Sequence, residues 1–393
     1  MAGAPRPCGA RSITAAPPDA PIASAAAPRC TPGSELRCEP AISAPTDAPA
    51  PAAPSSPSSA GSAARLRLDL AATRSAVWEA ARAAAPALPH LGDGWIAYRE
   101  AQGYRPRWLL AHVDGDPARR TVAVGVAWLK RPRFRPWKSG ELRLDRLPIA
   151  CGGAAAERAT PEALAAALVA AAAANRIGRI ELESFDGPAP PPDLAPLCFA
   201  PRERFEFLLP LAGDEASRFA RLKSSHRRKV RAAEKAQVTV ADETGRTELA
   251  LLRTLQGSTQ ERRADRGEEM ELPDPRQYER LAATFVARGG GRLFVGRLGG
   301  EPVSAVLCGV ERDRAYYLMG GTTPAGFECN AATLVLWRAA CLLAATGITE
   351  LNLGGVPRAA EQDGHPQHGL LRFKDGFEPM RIDCRSGTWE SGR

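Results

Sequence analysis

Apolar and polar positions become periodic at Leu68, and from there the chain breaks into short segments of two kinds. Residues 70–85 and 95–101 place apolar side chains at helical spacing. Three strand-like runs follow at 108–113, 121–129 and 141–149, separated by turn chemistry at Asp114-Gly115-Asp116-Pro117 and at Ser139-Gly140. Thr160 as N-cap and Pro161 at the first helical position predict a helix that runs to about Arg176 and is stopped by Gly178. The next strand is 179–185, and the proline-rich stretch 188–192 closes the unit.

The second half repeats that order. A helix over 275–288 leads into a hairpin of 292–298 and 302–310 across Gly299-Gly300, then a strand at 315–319. A helix over 330–346 is stopped by Gly347, and 348–353 is a strand. The joint reads Gly178-Arg179-Ile180-Glu181-Leu182 in one copy and Gly347-Ile348-Thr349-Glu350-Leu351 in the other, the same G-x-x-E-L at an offset of 169 residues. With the same α, β, β, β, α, β order on both sides, it predicts a tandem duplication of one α/β module, over 68–200 and 201–389.

Composition changes the picture at the N-terminus. Residues 1–64 hold 19 Ala and 13 Pro, no aromatic residue, and four basic against four acidic side chains. Such a segment buries too little to offset the entropy of ordering, so it is expected to be a disordered tail. The nine cysteines form no Cys-x-x-Cys pair, which predicts reduced thiols, no zinc site and a cytoplasmic setting. No window reaches the ~18 to 20 apolar residues of a membrane span, and the N-terminus is a poor secretory signal. Peripheral membrane contact stays open.

The net charge of +8 is concentrated. Seven basic residues and one acid lie between Arg221 and Lys235, on a segment that reads as a helix capped by Ser224 or Ser225, with positions 226, 230, 233 and 237 on one face. Arg227, Arg228 and Arg231 would then line the exposed sides and hold successive phosphates, unless the run is only a solvated face. A second basic loop, 130–138, interleaves Phe134 and Trp137 with five cations. No dinucleotide or Walker loop occurs, so no nucleoside triphosphate site is indicated. Gly354-Gly355 leaves the C-terminal end of a strand, a common place for a ligand. His365 and His368 lack a third ligand, and no metal is expected. The sharpest short motif is Arg372-Phe373-Lys374-Asp375-Gly376-Phe377, which sets a Lys against apolar surface where its charge can meet an oxyanion.

These motifs in this order, K-S-S-H-R-R-K-V-R-A-A-E-K-A, L-F-V-G-R-L-G-G-E-P-V-S-A-V-L, Y-Y-L-M-G-G-T-T-P, L-N-L-G-G and R-F-K-D-G-F, resemble the Fem-type (FemAB-like) branch of the GNAT acyltransferase superfamily over roughly 68–389. The branch includes aminoacyl-tRNA-dependent transferases that build peptidoglycan cross-bridges. The resemblance implies two tandem GNAT-like α/β domains, mixed sheets flanked by helices, with the transfer site in the second. It gives Phe373 and Lys374 the place at the transfer centre: Lys374 as oxyanion or phosphate stabiliser and Phe373 as a wall, with Asn352 and Tyr317 as polar positioning groups. Arg227, Arg228, Arg231, Gly354 and Gly355 would bind substrate or phosphate.

The chain departs from that pattern in three places. Family members often carry Asp where Asn352 stands. There is no room for a coiled-coil arm between Ala233 and Leu249, and the pyrophosphate loop Q/R-x-x-G-x-G/A is absent, Gly320-Gly321-Thr322-Thr323-Pro324 standing in its region. The expected function is acyl or aminoacyl transfer to an amine, with a cell-wall precursor as one acceptor. No cofactor is expected to stay bound, and aminoacyl-tRNA and acyl-CoA both stay open as donors. The alternatives are an acyl-CoA-dependent N-acetyltransferase and a non-catalytic module that binds RNA or an anionic glycan.

Overall fold

Strict alternation sets the first element: Leu66 and Leu68 are buried and Arg67 is exposed, so Leu66–Ala71 is strand β1 and not the start of a helix. The first helix begins later, as α1 (Ala76–Ala84), where Ser75 accepts a hydrogen bond from the Trp78 N–H. The computed structural model describes residues 65–130, 140–152, 156–187, 191–246, 249–264 and 271–392; the N-terminal tail and positions 131–138 of the basic loop lie outside the described residues.

The first half continues with α2 (Asp93–Ala101), β2 (Arg105–Val113), β3 (Thr121–Lys130), β4 (Gly140–Leu144), β5 (Ile149–Ala150), α3 (Pro161–Ala174), β6 (Ile177–Leu182) and β7 (Ala200–Pro210). The strand expected over 141–149 breaks at Asp145, whose buried carboxylate accepts bonds from Arg99, Trp95 and Trp128. Thr160 caps α3 as expected. Its end is different: Arg176 takes the left-handed conformation (φ 55°), and Gly178 lies inside β6.

The second half comprises α4 (Glu215–Arg221), α5 (Ser224–Lys235), β8 (Thr239–Asp242), α6 (Ala250–Ala264), α7 (Pro275–Arg280), β9 (Gly291–Leu298), β10 (Glu301–Glu311) and β11 (Arg314–Thr322). It closes with α8 (Pro324–Glu328), α9 (Ala331–Ala345), β12 (Glu350–Pro357), α10 (His368–Asp375) and β13 (Met380–Glu390). A π-helical turn at Leu281–Val286 extends α7, and Gly347 (φ 91°) follows α9 as the sequence predicts.

All strands join one mixed sheet in the order β1-β2-β3-β4-β6-β13-β7-β12-β11-β10-β9-β8, with β5 added on β3. Helices cover both faces, and four buried clusters result, two centred on each half, with Tyr98, Trp389 and the β7 side chains crossing between them. The duplication is visible in the pairing: β2-β3-β4 and β9-β10-β11 are antiparallel runs, each extended by one parallel strand, β6 on β4 and β12 on β11. The strands that follow are exchanged. β7, which leaves the first half, pairs with β12, while β13, which ends the second, returns to pair with β6 and β7. Among the described residues no helix is long and apolar enough to cross a membrane.

One difference between the copies matters. In the first half the parallel pair stays closed from Gly140 opposite Ile177 to Leu144 opposite Leu182, and the Glu183 and Phe185 N–H groups extend it. In the second, β11 and β12 pair only from Arg314 opposite Glu350 to Tyr316 opposite Asn352, and then diverge. A bulge between Asn352 and Gly355 on the β7 side bends β12 away, with Gly354 at φ 73°.

Candidate active site

The gap between β11 and β12 gathers buried polar side chains from four segments. Glu206 of β7 is fully buried. Its Oε1 accepts from Arg204 Nη2 (3.1 Å) and Tyr316 OH (3.0 Å); its Oε2 accepts from the Asp186 N–H (2.7 Å) and Asn352 Nδ2 (2.9 Å). Burial pushes its carboxyl up, against the pull of Arg204 and the Asn352 bond. Asn352 also donates to Asp186 Oδ1 (2.9 Å) and accepts from the Gly354 N–H (2.8 Å), so one amide ties the acids to the bulge.

Lys374 reaches the gap from α10. It is 4% exposed, lies over the Phe207 ring and donates from Nζ to the Gly355 carbonyl (3.1 Å). Burial, with help from Arg204, lowers its pKa from 10.5 to about 7, and Glu206 opposes the shift.

Glycine decides what the gap can hold. A Cβ on Gly354 would lie 3.5 Å from Lys374 Nζ, 3.5 Å from the Tyr317 carbonyl and 3.6 Å from Tyr316 OH. Three polar atoms thus converge on a space the size of one atom. Gly355 lets the Arg204 guanidinium lie against the β12 backbone, where any side chain would meet it.

The structure therefore brings Lys374, Asn352, Gly354 and Gly355 to one place. Tyr317 contributes its carbonyl; its side chain packs on the apolar cluster under α9 and α10, and burial pushes its hydroxyl up to about 12. The tyrosine whose hydroxyl enters the gap is its neighbour Tyr316, since successive side chains alternate across a strand. The Tyr316 ring is held edge-on by His90 and Phe185 of the first half. Phe373 is half-buried and lies edge-on to Phe377 (centroids 5.5 Å apart). Sequence reasoning missed Glu206, Tyr316, Arg204 and Asp186. The signal for Glu206 was present, a single acid inside the apolar run Phe205-Glu206-Phe207-Leu208.

The basic helix needs correction in two respects. Lys223, not a serine, is the N-cap of α5 and makes no side-chain cap bond. Arg227 does not line an exposed side: its guanidinium donates to the Ala220 and Leu222 carbonyls, completing the turn between α4 and α5. Arg228 and Arg231 are exposed, Arg231 over the Phe219 ring, and Arg228 has no ion-pair partner among the described residues. His226, Val230 and Ala233 form the buried face, and Gln237 is exposed beyond the helix.

His365 and His368 are held by local bonds, to the Gln367 N–H and the Ala360 carbonyl, and no group of three metal-ligating side chains occurs among the described residues.

Residues 220–374 match the family model described as an acetyltransferase (GNAT) domain, the span that holds the diverging strands, the basic helix and Lys374. Among solved structures the chain is similar to FemX, with a TM-score of 0.60 at 16% identity over 80% of this chain and 96% of that one. A conserved protein of unknown function from Bacteroides thetaiotaomicron VPI-5482 gives 0.48 at 10% identity over 81% and 98%. A tandem GNAT protein from the clavulanic acid biosynthesis pathway gives 0.45 at 13% identity over 84% and 99%. No curated protein matches the chain by sequence.

Proposed function

Starting from a chain whose fold is that of the Fem-type GNAT transferases, we propose that it transfers an acyl or aminoacyl group to an amine in the gap between β11 and β12. The observation that carries this reading is that a donor, Lys374 Nζ, and an acceptor, the Tyr316 hydroxyl oxygen, both border the Cβ position that Gly354 leaves vacant. Attack of an amine on an ester or thioester forms a C–N bond and places negative charge on the carbonyl oxygen. An oxygen seated over Gly354 meets the Lys374 ammonium in a site with little water, where a charged donor is worth most.

The nitrogen must also lose a proton. Tyr316 OH donates to Glu206, so its oxygen faces the gap as an acceptor. The amine proton passes to Tyr316 as the phenol proton moves to Glu206. Collapse breaks the bond to the leaving oxygen or sulfur, which takes a proton from Lys374, and Glu206 returns its proton to Lys374 through Tyr316.

Substitution of Gly354 by Ala tests this directly. The new methyl makes ordinary contacts of 3.5 Å or more, so the cost to the fold is mainly the left-handed backbone, about 1 kcal/mol. It fills the oxyanion space, and steady-state turnover should fall at least about tenfold. Turnover at the wild-type level would remove the gap from the chemistry.

Arg228, Lys229, Arg231 and Lys235 are exposed on α5 and favour a polyanionic donor such as a charged tRNA. The match to an acetyltransferase domain favours the second reading, an acyl-CoA donor. A label-transfer assay with each donor, with and without RNase, separates them. With tRNA as donor, Arg228→Ala combined with Lys229→Ala should weaken binding and flatten the plot of log affinity against log salt by about 1.8. An unchanged slope returns α5 to a solvated face. The acceptor is proposed to be an amine-bearing cell-envelope precursor.

A further inference from the structure

The buried histidine of the basic helix has no part in the transfer chemistry above, yet it is the tertiary link between that helix and the residue next to Lys374. His226 Nε2 lies 3.0 Å from the Phe373 carbonyl oxygen. That carbonyl belongs to the last turn of α10, where main-chain acceptors run out of helical partners. The neighbouring carbonyls are satisfied within the chain, Arg372 by the Gly376 N–H and Lys374 by the Phe377 N–H. Phe373 is left to His226.

A carbonyl only accepts, so Nε2 carries the proton in this bond. Nδ1 is buried with no hydrogen-bond partner. Burial and the nearby Lys229 lower the pKa of the ring to about 4, so it is a neutral donor of fixed tautomer. The ring is packed between Phe373 and Phe377, with centroids at 5.9 and 4.8 Å. It lies so close to Gly376 that any side chain there would overlap it. A second bond runs parallel, from the Lys223 N–H to the Gly376 carbonyl (3.1 Å). The start of α5 and the end of α10 are thus clamped together at the two residues flanking the Lys374-Asp375 turn.

We infer that His226 is a positioning residue for transfer: its bond to the Phe373 carbonyl fixes the end of α10 and so holds Lys374 Nζ over Gly354. The inference rests on Lys374 being the oxyanion group. It also makes the cation-bearing helix and the transfer centre one mechanical unit.

Two variants separate donation from packing. β-(3-Thienyl)alanine at position 226 keeps a five-membered aromatic ring and lacks the N–H; His226→Gln keeps an N–H at a similar reach. The thienylalanine variant should lose about tenfold in kcat with KM nearly unchanged. The midpoint of Lys374, followed by NMR of the labelled ε-amino group, should rise from about 7 toward the usual lysine range as the side chain loosens into water. The Gln variant should recover most of both.

A thienylalanine variant with wild-type kcat and midpoint overturns the proposal, as does a Gln variant that folds yet behaves no better. If the thienylalanine variant loses its fold, the Gln variant alone decides: kcat and a Lys374 midpoint near wild type support the donated bond, and a folded Gln variant that recovers neither overturns it. The Lys374 titration needs no substrate, so it still decides this point should wild-type protein transfer no acyl group.

Discussion

Replacing Lys374 by Met should lower turnover on the order of 100-fold or more and make the protein more stable. The first effect follows from removing the ammonium that borders the space over Gly354, by analogy with loss of an oxyanion donor. The second follows from linkage. Lys374 has a folded-state pKa of about 7, below the 10.5 of a free lysine. Between those values the unfolded chain binds more protons than the folded one, so stability rises with pH across that window, and the full penalty stands below pH 7. Met keeps the length of the side chain and has no charge to desolvate. After allowance for the lost bond to the Gly355 carbonyl, the gain is about 2 kcal/mol at pH 6, and it shrinks as the pH approaches 10. Paired urea titrations at pH 6 and pH 9 measure it. In wild-type protein turnover should fall as pH rises through about 7, where the ammonium is lost. A Met variant that is destabilised and still turns over within a few-fold of wild type would make Lys374 a structural lysine held by the Gly355 carbonyl. A non-catalytic binding module would tolerate the change in the same way.

The duplication was legible because each copy keeps its own turn and cap chemistry: Thr160 at a helix start, Gly347 at a helix end, Gly299-Gly300 across a hairpin. Lys374 stood out in the sequence as a lysine after Phe373 and before a Gly turn, and Asn352 came only from the family resemblance; the structure brings both to the gap. Glu206 and Tyr316 were not legible, and the reasons are physical. Glu206 enters the site only because β7 crosses from the first half to pair with β12, and strand partnership is a tertiary choice that periodicity does not encode. Tyr316 and Tyr317 are adjacent on β11, so a one-residue difference in phase decides which one meets Glu206. A bulge at Leu307/Cys308 shifts that register. The error at β1 has the same origin. Leu66, Leu68 and Leu70 alternate, but the run of alanines that follows fits a helix as well.

Glu206→Gln should destabilise the protein strongly. The two carboxylate oxygens receive four donors, two on each. An amide offers one oxygen and one NH2, so whichever way it turns, two donors face another donor across hydrogen-bond distance. Arg204, in a buried setting, also loses the charge it faces in Glu206, leaving it with Glu183 at 3.8 Å. Breaking one side of a buried ion pair and leaving two donors unsatisfied costs about 3 to 5 kcal/mol, which a urea titration at neutral pH reads as a lower midpoint at unchanged slope. The pH profile should move as well. Glu206 holds the Lys374 pKa up against burial and Arg204. Without that charge the Lys374 midpoint moves below 7, so the fall in turnover begins at lower pH in whatever fraction remains folded. The proton also loses its acceptor behind Tyr316, so kcat falls even at the new optimum. A variant as stable as wild type, with an unshifted profile, would mean that the four bonds to Glu206 do not organise the site, and the relay through Tyr316 would fall with them.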